Sequence, residues 1–308
     1  MSVPSVPDEL FVPMQKNTAG REAITRPQLT YWQDVWLRLS NNKLAILAMV
    51  IIVLNALLAI FGPLLTEYSY SQQSLLESNT GPSAEHWFGT DNLGRDIFAR
   101  IVYGAKISLF IGITAALIDF TIGVIYGGIA GYVGGKTDEV MMRFVDVLYG
   151  LPYLLVVILL MVVMGPGLLT IIVALTATGW IGMARIVRGQ ILQLKNADYV
   201  LATITLGGTP WYIIWRHLLP NTMGIIIVQI TYTVPSAIFS EAFLSFIGLG
   251  IQPPLASWGS MANEGLPSIL SGHWWRLFFP SFFISFTMLA FNLLGDGLRD
   301  AFDPKLRR

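Results

Sequence analysis

The sequence predicts an all-α integral membrane protein with six transmembrane helices, and three observations support this fold class. Of the 308 residues, 54% are hydrophobic and only 12% are charged, whereas soluble domains carry about 25% charged residues. The mean hydropathy is +0.62. Long stretches without any charge recur along the chain, and about 20 apolar residues are enough to cross a bilayer.

The composition also argues against several function classes. A net charge of zero gives no indication of nucleic acid binding. The absence of cysteine excludes disulfides, thiolate metal sites and cysteine nucleophiles. The three histidines, His86, His217 and His273, do not have the spacing of metal ligands. We therefore predict no catalytic residue, no metal site and no bound cofactor for this chain.

Residues 1–43 are predicted to form a tail ahead of the first span. Residues 1–29 are polar and contain several prolines, which is typical of a loosely ordered segment. An amphipathic helix is predicted at about 31–43, with Trp32 and Trp36 on its apolar face. Tryptophan on such a helix favours a position at the membrane interface, and a helix packed on a loop is the alternative. No signal peptide is expected because the first apolar run begins well inside the chain.

Residues 44–308 are predicted to form the transmembrane domain. The spans between charged residues are expected at about 44–65, 107–132, 144–164, 168–188, 221–243 and 277–297. Loops 66–106 and 246–276 then lie on one side, and the loop 189–220 lies on the other. An even number of spans places both termini on the same side. Fifteen of the 19 Lys and Arg residues also fall on that side, and the positive-inside rule makes it the cytoplasm.

The second span carries a stripe of glycines, Gly123, Gly127 and Gly131, which recur every four residues on one helix face. Small residues let membrane helices approach closely, so the stripe is predicted to pack on another helix of this chain or of a partner. Glycines used as hinges are the alternative. The nearby stretch "AGYVGGKT" resembles a phosphate-binding loop, but Ala130 replaces its first glycine and a membrane span precedes it. No nucleotide site is predicted.

Two acidic residues lie in or at the predicted spans. Asp119 falls near the middle of the second span, where a charge costs about 2.5–3.5 kcal/mol. It is therefore a candidate for a polar site on a transport pathway, and a carboxyl group hydrogen-bonded to a neighbouring helix is the alternative. Glu241 falls at the outer end of the fifth span. It is a second candidate for such a site, unless it simply lies at the membrane interface.

Four charged residues precede or begin the third span. Glu139 and Arg143 are spaced i,i+4, Arg143 and Asp146 are spaced i,i+3, and Asp138 is beside them. Such spacings favour ion pairs along one helix. The group is expected to be structural, with an anchor for a cytoplasmic partner as the alternative.

The loop before the fifth span is amphipathic. Residues 198–206 can form two helical turns, and Gly207 and Gly208 interrupt them. Pro210 suits the first turn of a second short helix over 211–218, and Pro220 then starts the fifth span. An apolar helix face held off the bilayer needs a groove, most simply on a soluble protein. A connector that contacts only lipid explains the pattern equally well, and the residues alone leave both readings open.

This loop resembles the cytoplasmic coupling loop of ABC importer permeases. The family pattern is Glu-Ala-Ala, three residues, Gly, then nine residues before hydrophobic-x-Leu-Pro. The matching positions are Ala202, Gly207, Leu219 and Pro220. Leu201, Thr203 and His217 depart from the pattern. Because Leu201 replaces the glutamate, a charge pair made there by the family would have to come from Asp198 or Arg216.

Three further stretches are similar to the peptide/nickel subgroup of these permeases. They are "HWFGTDNLGRDIFARIVYGAKISL" at 86–109, "SFIGLGIQPPLASWGSM" at 245–261 and "GDGLRDAFDPKLR" at 295–307. They are most similar to the second permease subunit of oligopeptide uptake systems. The resemblance extends over nearly all of the chain beyond about residue 30.

The resemblance implies the fold of a type I ABC importer permease in the bacterial cytoplasmic membrane. It implies three kinds of protein partner: a second, homologous permease subunit, two ATPase subunits that hold ATP and Mg, and an extracytoplasmic peptide-binding protein. The lipid bilayer is the fourth partner. The implied function is ATP-driven import of oligopeptides by a subunit that is not itself an enzyme. The implied coupling residues are Asp198, Tyr199, Ala202, Gly207, Gly208, Arg216, Leu219 and Pro220.

Two alternatives to oligopeptide import follow from the sequence. The same role for dipeptides or nickel is one of them. A channel or an ion-coupled transporter is the alternative from a different class, and it would normally require several ionisable groups within the membrane and broken helices. Asp119 is the main residue in its favour.

Overall fold

The computed structural model describes residues 30–303, and the regular structure in this range is helical apart from one bridge between Thr90 and Asp96. The helices in chain order are α1 Tyr31–Asn41, α2 Lys43–Phe61, α3 Ile97–Val133, α4 Gly135–Tyr149, α5 Tyr153–Met164, α6 Leu168–Leu194, α7 Asp198–Thr205, α8 Pro210–Ile213, α9 Leu219–Phe246, α10 Trp258–Gly265 and α11 Trp275–Phe302. The part of the resembling stretch 295–307 beyond Asp303 lies outside the described residues, as do residues 1–29.

The membrane spans correspond to the long apolar helices. Within residues 30–303, five helices have the length and composition to cross a membrane, and the bent pair α4–α5 makes a sixth if it is counted as one span. The five are α2, α3, α6, α9 and α11, with α8 continuing into α9. The predicted all-α membrane fold is confirmed.

Helix α3 begins ten residues before the predicted start of the second span, so the last part of the predicted outer loop, residues 97–106, is helical. The charges of Arg100 and Lys106 set the predicted boundary. The Arg100 guanidinium is buried and paired with carboxylates, so its charge does not end the helix. The Asp96 side chain accepts a hydrogen bond from the N–H of Ala99 at 2.7 Å and caps the helix at its actual start.

The third span is not one straight helix. Helices α4 and α5 meet at an angle of 81° across the break at Gly150, Leu151 and Pro152. Proline lacks the backbone N–H that a helix requires and disfavours the helical conformation of the residue before it. The apolar composition continues through the break, which is why the charge pattern predicted a single span there.

Helix α3 forms the centre of the bundle and packs along α6 and α9, while α2 and α11 pack together at one side. The glycines of α3 face α6. A Cβ atom placed on Gly127 would lie 3.0 Å from the Cα and carbonyl carbon of Ala184, and one on Gly131 would lie 2.9 Å from the carbonyl oxygen of Arg188. A Cβ on Gly123 would meet the side chain of Met183 at 2.5 Å. The two helix backbones are therefore in direct contact along the stripe.

The amphipathic helix α1 is slightly shorter than predicted and ends at Asn41. Thr30 and Gln33 form a capping box at its start. Val35 and Leu39 are buried among residues of α2 and α11, whereas Trp32 is 54% exposed. The apolar face is thus divided between the core and the outside, and the interfacial position of the tryptophans stays a prediction.

Candidate functional site

We define the connector as residues 195–218, which include most of the predicted coupling residues. Within it, the end of helix α7 has a regular and recognisable geometry. Helix α7 ends in a Schellman motif, in which the N–H of Gly207 donates to the carbonyl of Ile204 at 2.9 Å and the N–H of Gly208 donates to that of Thr203 at 3.0 Å. Gly207 has a φ of +83°. No atom lies within 4 Å of a Cβ placed there, so glycine is required by the backbone conformation and not by the space around it.

The second helix of the connector begins as predicted, and Pro220 lies at the start of the fifth span as predicted, but the two helices are not separate. Thr209 accepts a hydrogen bond from the N–H of Tyr212 at 3.3 Å and Pro210 follows in the first turn. A π turn over Ile214–Leu218 then joins α8 to α9 without interruption. Pro220 follows directly after the π turn, in the first turn of α9, and the local change in the hydrogen-bond pattern accommodates its missing N–H.

The two sides of the connector differ in their surroundings. Val200, Ile213 and Leu218 are fully buried among residues of α3, α6 and α9. The opposite side exposes large apolar residues, with Leu206 at 88% and Trp211 at 57% exposed. The other members of this exposed apolar surface are Tyr199, Leu201, Ile204, Tyr212 and Trp215. A contiguous apolar surface of this kind marks contact with a protein or a membrane.

The remaining predicted coupling residues outside the glycine turn are also exposed, with the exception of Leu219. Asp198, Ala202, Arg216 and Pro220 are exposed, whereas Leu219 is buried and belongs to the core beneath the connector. Asp198 lies in the first turn of α7, where a negative charge is favourable. The exposed members of the set are thus accessible to a partner, whereas Leu219 serves packing.

Asp119 lies on the wall of a cavity of ≈ 330 Å³ between α3, α5, α6 and α9. The residue is 5% exposed and its Oδ1 atom has no hydrogen-bond partner in the described part of the chain. The hydroxyl of Tyr153 in the same lining is also buried without a partner. The alternative in which a neighbouring helix satisfies this carboxyl group is therefore wrong for Oδ1.

Glu241 is fully buried inside the protein. Its Oε1 accepts hydrogen bonds from the hydroxyls of Ser257 at 2.6 Å and Ser245 at 2.8 Å. Ser257 also caps helix α10. Helix α10 folds over the end of α9, so the carboxyl group is covered where the sequence suggested the end of a span. Glu241 does not line the Asp119 cavity.

The charged residues of α4 pair mainly across helices. Asp138 bonds Arg188 of α6 through both of its oxygens, at 2.5 and 2.6 Å. Asp146 bonds Arg185 at 2.8 Å instead of the predicted Arg143.

The expected pair between Glu139 and Arg143 is present only at 3.9 Å, and both side chains are exposed. An exposed pair of this kind contributes little to stability. The bonds to α6 prevail because the guanidinium groups of α6 lie opposite the carboxylates, and bidentate charged hydrogen bonds are the stronger interaction.

Sequence reasoning missed a buried ion network at the loop face, which we define as residues 62–96 and 247–274. Asp91 bonds Arg95 at 2.6 Å and Arg100 at 2.5 Å, and both arginines also bond Glu264. Burial alone would raise the pKa of Asp91, but the Arg100 charge, the N–H groups of the loop and the Arg95 charge together hold it below its usual value. The only signal in the sequence was the resembling stretch 86–109, which contains Asp91, Arg95 and Arg100 but not Glu264.

A metal-binding arrangement is not found in the part of the chain that the structure describes: no three His, Asp or Glu side chains there are grouped as ligands would be. The chemical features that remain are the exposed connector, the polar cavity at Asp119 and the ion network at the loop face. None of these presents a nucleophile beside a general base.

Comparison with known protein families agrees with this arrangement. Residues 123–308 match the family described as "Binding-protein-dependent transport system inner membrane component". Residues 30–82 match the "N-terminal TM domain of oligopeptide transport permease C". The two matches together include most of the helical bundle.

Several curated proteins are similar to the chain over nearly its full length. The dipeptide transport system permease protein DppC of Bacillus subtilis is 66% identical over 98% of this chain and 95% of its own length. The oligopeptide transport system permease protein OppC of the same organism is 56% identical over 99% of both chains. OppC of Escherichia coli K12 is 42% identical over 90% of this chain and 92% of its own length.

The matched family consists of membrane permease components that are not themselves ATPases, and it implies a paired permease, ATPase partners and a binding protein. The apolar helices of the structure fit a multi-pass membrane protein. The chain belongs to the inner membrane components of binding-protein-dependent transport systems, as a permease subunit of a bacterial ABC peptide importer.

Proposed function

We propose that this chain is a permease subunit through which an ATP-driven importer moves oligopeptides across the cytoplasmic membrane, and that its connector binds an ATPase subunit. The single observation that carries the coupling role is the exposed apolar surface of the connector, from Tyr199 to Trp215. Its turn is fixed by Gly207 and its underside is packed on the bundle. A rigid, apolar element on a transport subunit is suited to transmit the movement of a bound partner.

The partners follow from the family. A second, homologous permease subunit completes the pathway, and two ATPase subunits bind ATP and Mg. A peptide-binding protein delivers the cargo to the loop face. The ATPases bias the pathway between inward-open and outward-open states through their differential contact with the connectors. Family membership excludes the channel and ion-coupled alternatives.

The orientation of the chain is part of this proposal and gives a first prediction. The connector and both termini are expected in the cytoplasm and the loop face outside. Because the chain has no cysteine, single substitutions can be labelled without background. Ser83→Cys and Leu270→Cys, both at exposed positions, are expected to react with a membrane-impermeant maleimide in intact cells.

Glu139→Cys is the matched inner position, because Glu139 is also exposed. It is expected to react only after the cells are permeabilised. Labelling of Glu139→Cys in intact cells, together with protection of the two loop-face positions, would reverse the orientation.

The length of the cargo needs a direct measurement. The relatives named above include one described as a dipeptide permease and two described as oligopeptide permeases, so dipeptides are the second candidate. We expect ATP-dependent uptake of tripeptides and longer peptides by the complete importer in proteoliposomes with its binding protein.

Uptake of dipeptides alone would assign the chain to dipeptide import, and uptake of Ni²⁺ without peptide would assign it to nickel import. Uptake without ATP would contradict the coupling role. The same vesicles without the ATPase subunits serve as the control, because they contain the same membrane area and permease.

A further inference from the structure

The cavity beside Asp119 has one charged residue in its lining. We propose that the Asp119 carboxylate binds the ammonium group of a peptide on its way through the bundle. The inference rests on the proposed function, because it takes a peptide as the cargo and names the group on the peptide that the pathway recognises.

The carboxylate is held without a partner at a defined position. Asp119 is 5% exposed and its Oδ1 accepts no hydrogen bond from any described residue. A Cβ atom placed on Gly179 of α6 would lie 2.8 Å from Oδ1 and 2.9 Å from the carboxyl carbon. The side chain therefore lies directly against the backbone of α6. A buried carboxylate without a partner is costly, and an arriving cation would remove that cost.

The rest of the lining combines apolar residues with polar residues that carry no charge. Helix α9 contributes Gln229, Thr233, Ser236 and Ser240, whose spacing of three and four residues places them on one helix face. A polar face on a membrane helix lines water or a partner and does not face lipid. Hydroxyl and amide groups can bond peptide N–H and C=O groups of any sequence. The cavity therefore offers general hydrogen bonding together with one fixed negative charge.

This charge distribution selects one end of a peptide. None of the lining residues is Lys, Arg or His, so a carboxylate on the cargo finds no cation there. An ammonium group finds Asp119, with the unpartnered hydroxyl of Tyr153 in the same lining. Every unmodified peptide carries one α-ammonium group, and some carry a second ammonium on a lysine side chain. Both groups have the chemistry that the cavity recognises.

The test compares two peptides in the reconstituted importer, one with a free amino terminus and one with the same sequence acetylated there. Binding to the peptide-binding protein is measured first, and both peptides are used at concentrations that saturate it. Delivery is then equal, and the initial rate of uptake reports the permease. The wild type is expected to transport the free peptide about tenfold faster, a difference of about 1.4 kcal/mol. Asp119→Asn is expected to remove most of this preference.

Two further variants separate recognition from folding. Thr121→Ala changes a nearby exposed residue of α3 whose hydroxyl bonds the carbonyl of Leu117 in its own helix, and it should keep the preference. Gly179→Ala leaves the charge in place but forces the carboxylate away from α6, and it should lower the preference. ATP hydrolysis stimulated by the loaded binding protein shows that each complex is assembled.

A second set of peptides distinguishes the α-ammonium group from the ammonium group of a lysine side chain. Acetylated peptides with an internal lysine are compared with the same peptides containing norleucine. Loss of a lysine preference in Asp119→Asn supports recognition of a side-chain ammonium, and loss of the free-terminus preference supports recognition of the α-ammonium.

An assembled Asp119→Asn importer that keeps every preference, or that slows all peptides equally, overturns the inference while leaving peptide import intact. Failure of the wild type to take up any peptide with ATP overturns the proposed function instead.

Discussion

Replacing Gly127 with leucine is expected to prevent assembly of the importer and to abolish peptide uptake. The Cβ of any residue here would lie 3.0 Å from the Cα and carbonyl carbon of Ala184 and closer still to its carbonyl oxygen. These are backbone atoms of α6, so no side chain can rotate away to make room. The helices α3 and α6 would have to separate, and their contact lies at the centre of the bundle.

The adjacent glycine provides a matched control for this prediction. A Cβ on Gly128 would meet the nearest side chains, Ile191 and Ile214, at 3.8 Å, which is an ordinary van der Waals distance. Gly128→Ala is therefore expected to be tolerated, whereas Gly127→Ala should already cost about 1–3 kcal/mol, as overpacking of a core does. Gly127→Leu should exceed that cost.

Assembly is measured by co-purification of the partner subunits with the tagged chain, together with the thermal unfolding midpoint in detergent. A Gly127→Leu chain that co-purifies, unfolds at the wild-type temperature and supports uptake would show that α3 and α6 do not need this close approach. Equal losses in Gly127→Ala and Gly128→Ala would mean that the helix backbone tolerates no change here, and the stripe would have no special role.

Much of this fold could be predicted because membrane crossing has a simple physical requirement. Runs without charge gave the five long helices, and the fourfold spacing of glycine gave the face of α3 that packs on α6. Both signals are local in sequence. They depend on what a residue type costs in lipid or at a close helix contact, and they need no knowledge of distant partners.

The predictions that differ from the structure concern mainly charged residues whose surroundings are formed by residues distant in the sequence. Arg100 was predicted to lie in a loop, whereas it lies in helix α3 and pairs with Asp91 and Glu264, and Glu264 is far away in the sequence. Glu241 looks exposed at the end of a span, whereas its carboxyl group is buried and accepts a hydrogen bond from Ser257. Hydropathy also carries no information about backbone hydrogen bonds, and so the break before α5 at Pro152 was missed.

The candidate site likewise has one part that could be predicted from the sequence and one part that could not. The conformation of Gly207 follows from residue type and from its place after two helical turns. The cavity at Asp119 does not, because α5, α6 and α9 contribute its neutral lining from separate parts of the chain. Sequence alone could propose that Asp119 is functional but could not show that its carboxylate lies unpartnered in a polar cavity.

Replacing Gly207 with valine is expected to leave the chain inserted in the membrane and to uncouple ATP hydrolysis from peptide uptake. The φ of +83° at this position lies in a region that costs an L-residue about 1–2 kcal/mol, and a β-branched residue resists it most strongly. The Schellman motif would rearrange, and the exposed side of the connector, with Leu206 at 88% exposed, would no longer be presented in the same direction. Every membrane span remains unchanged.

The measurement is ATP hydrolysis stimulated by loaded binding protein, alongside uptake, in the reconstituted importer. Gly207→Asn is the matched control variant, because asparagine adopts positive φ far more readily than valine. No atom lies within 4 Å of the added Cβ in this chain. If backbone conformation is what matters, asparagine should retain most of the coupling and valine should lose it. Equal losses would place the defect in the added side chain at the partner surface, and wild-type coupling in Gly207→Val would make the connector an ordinary link between two spans.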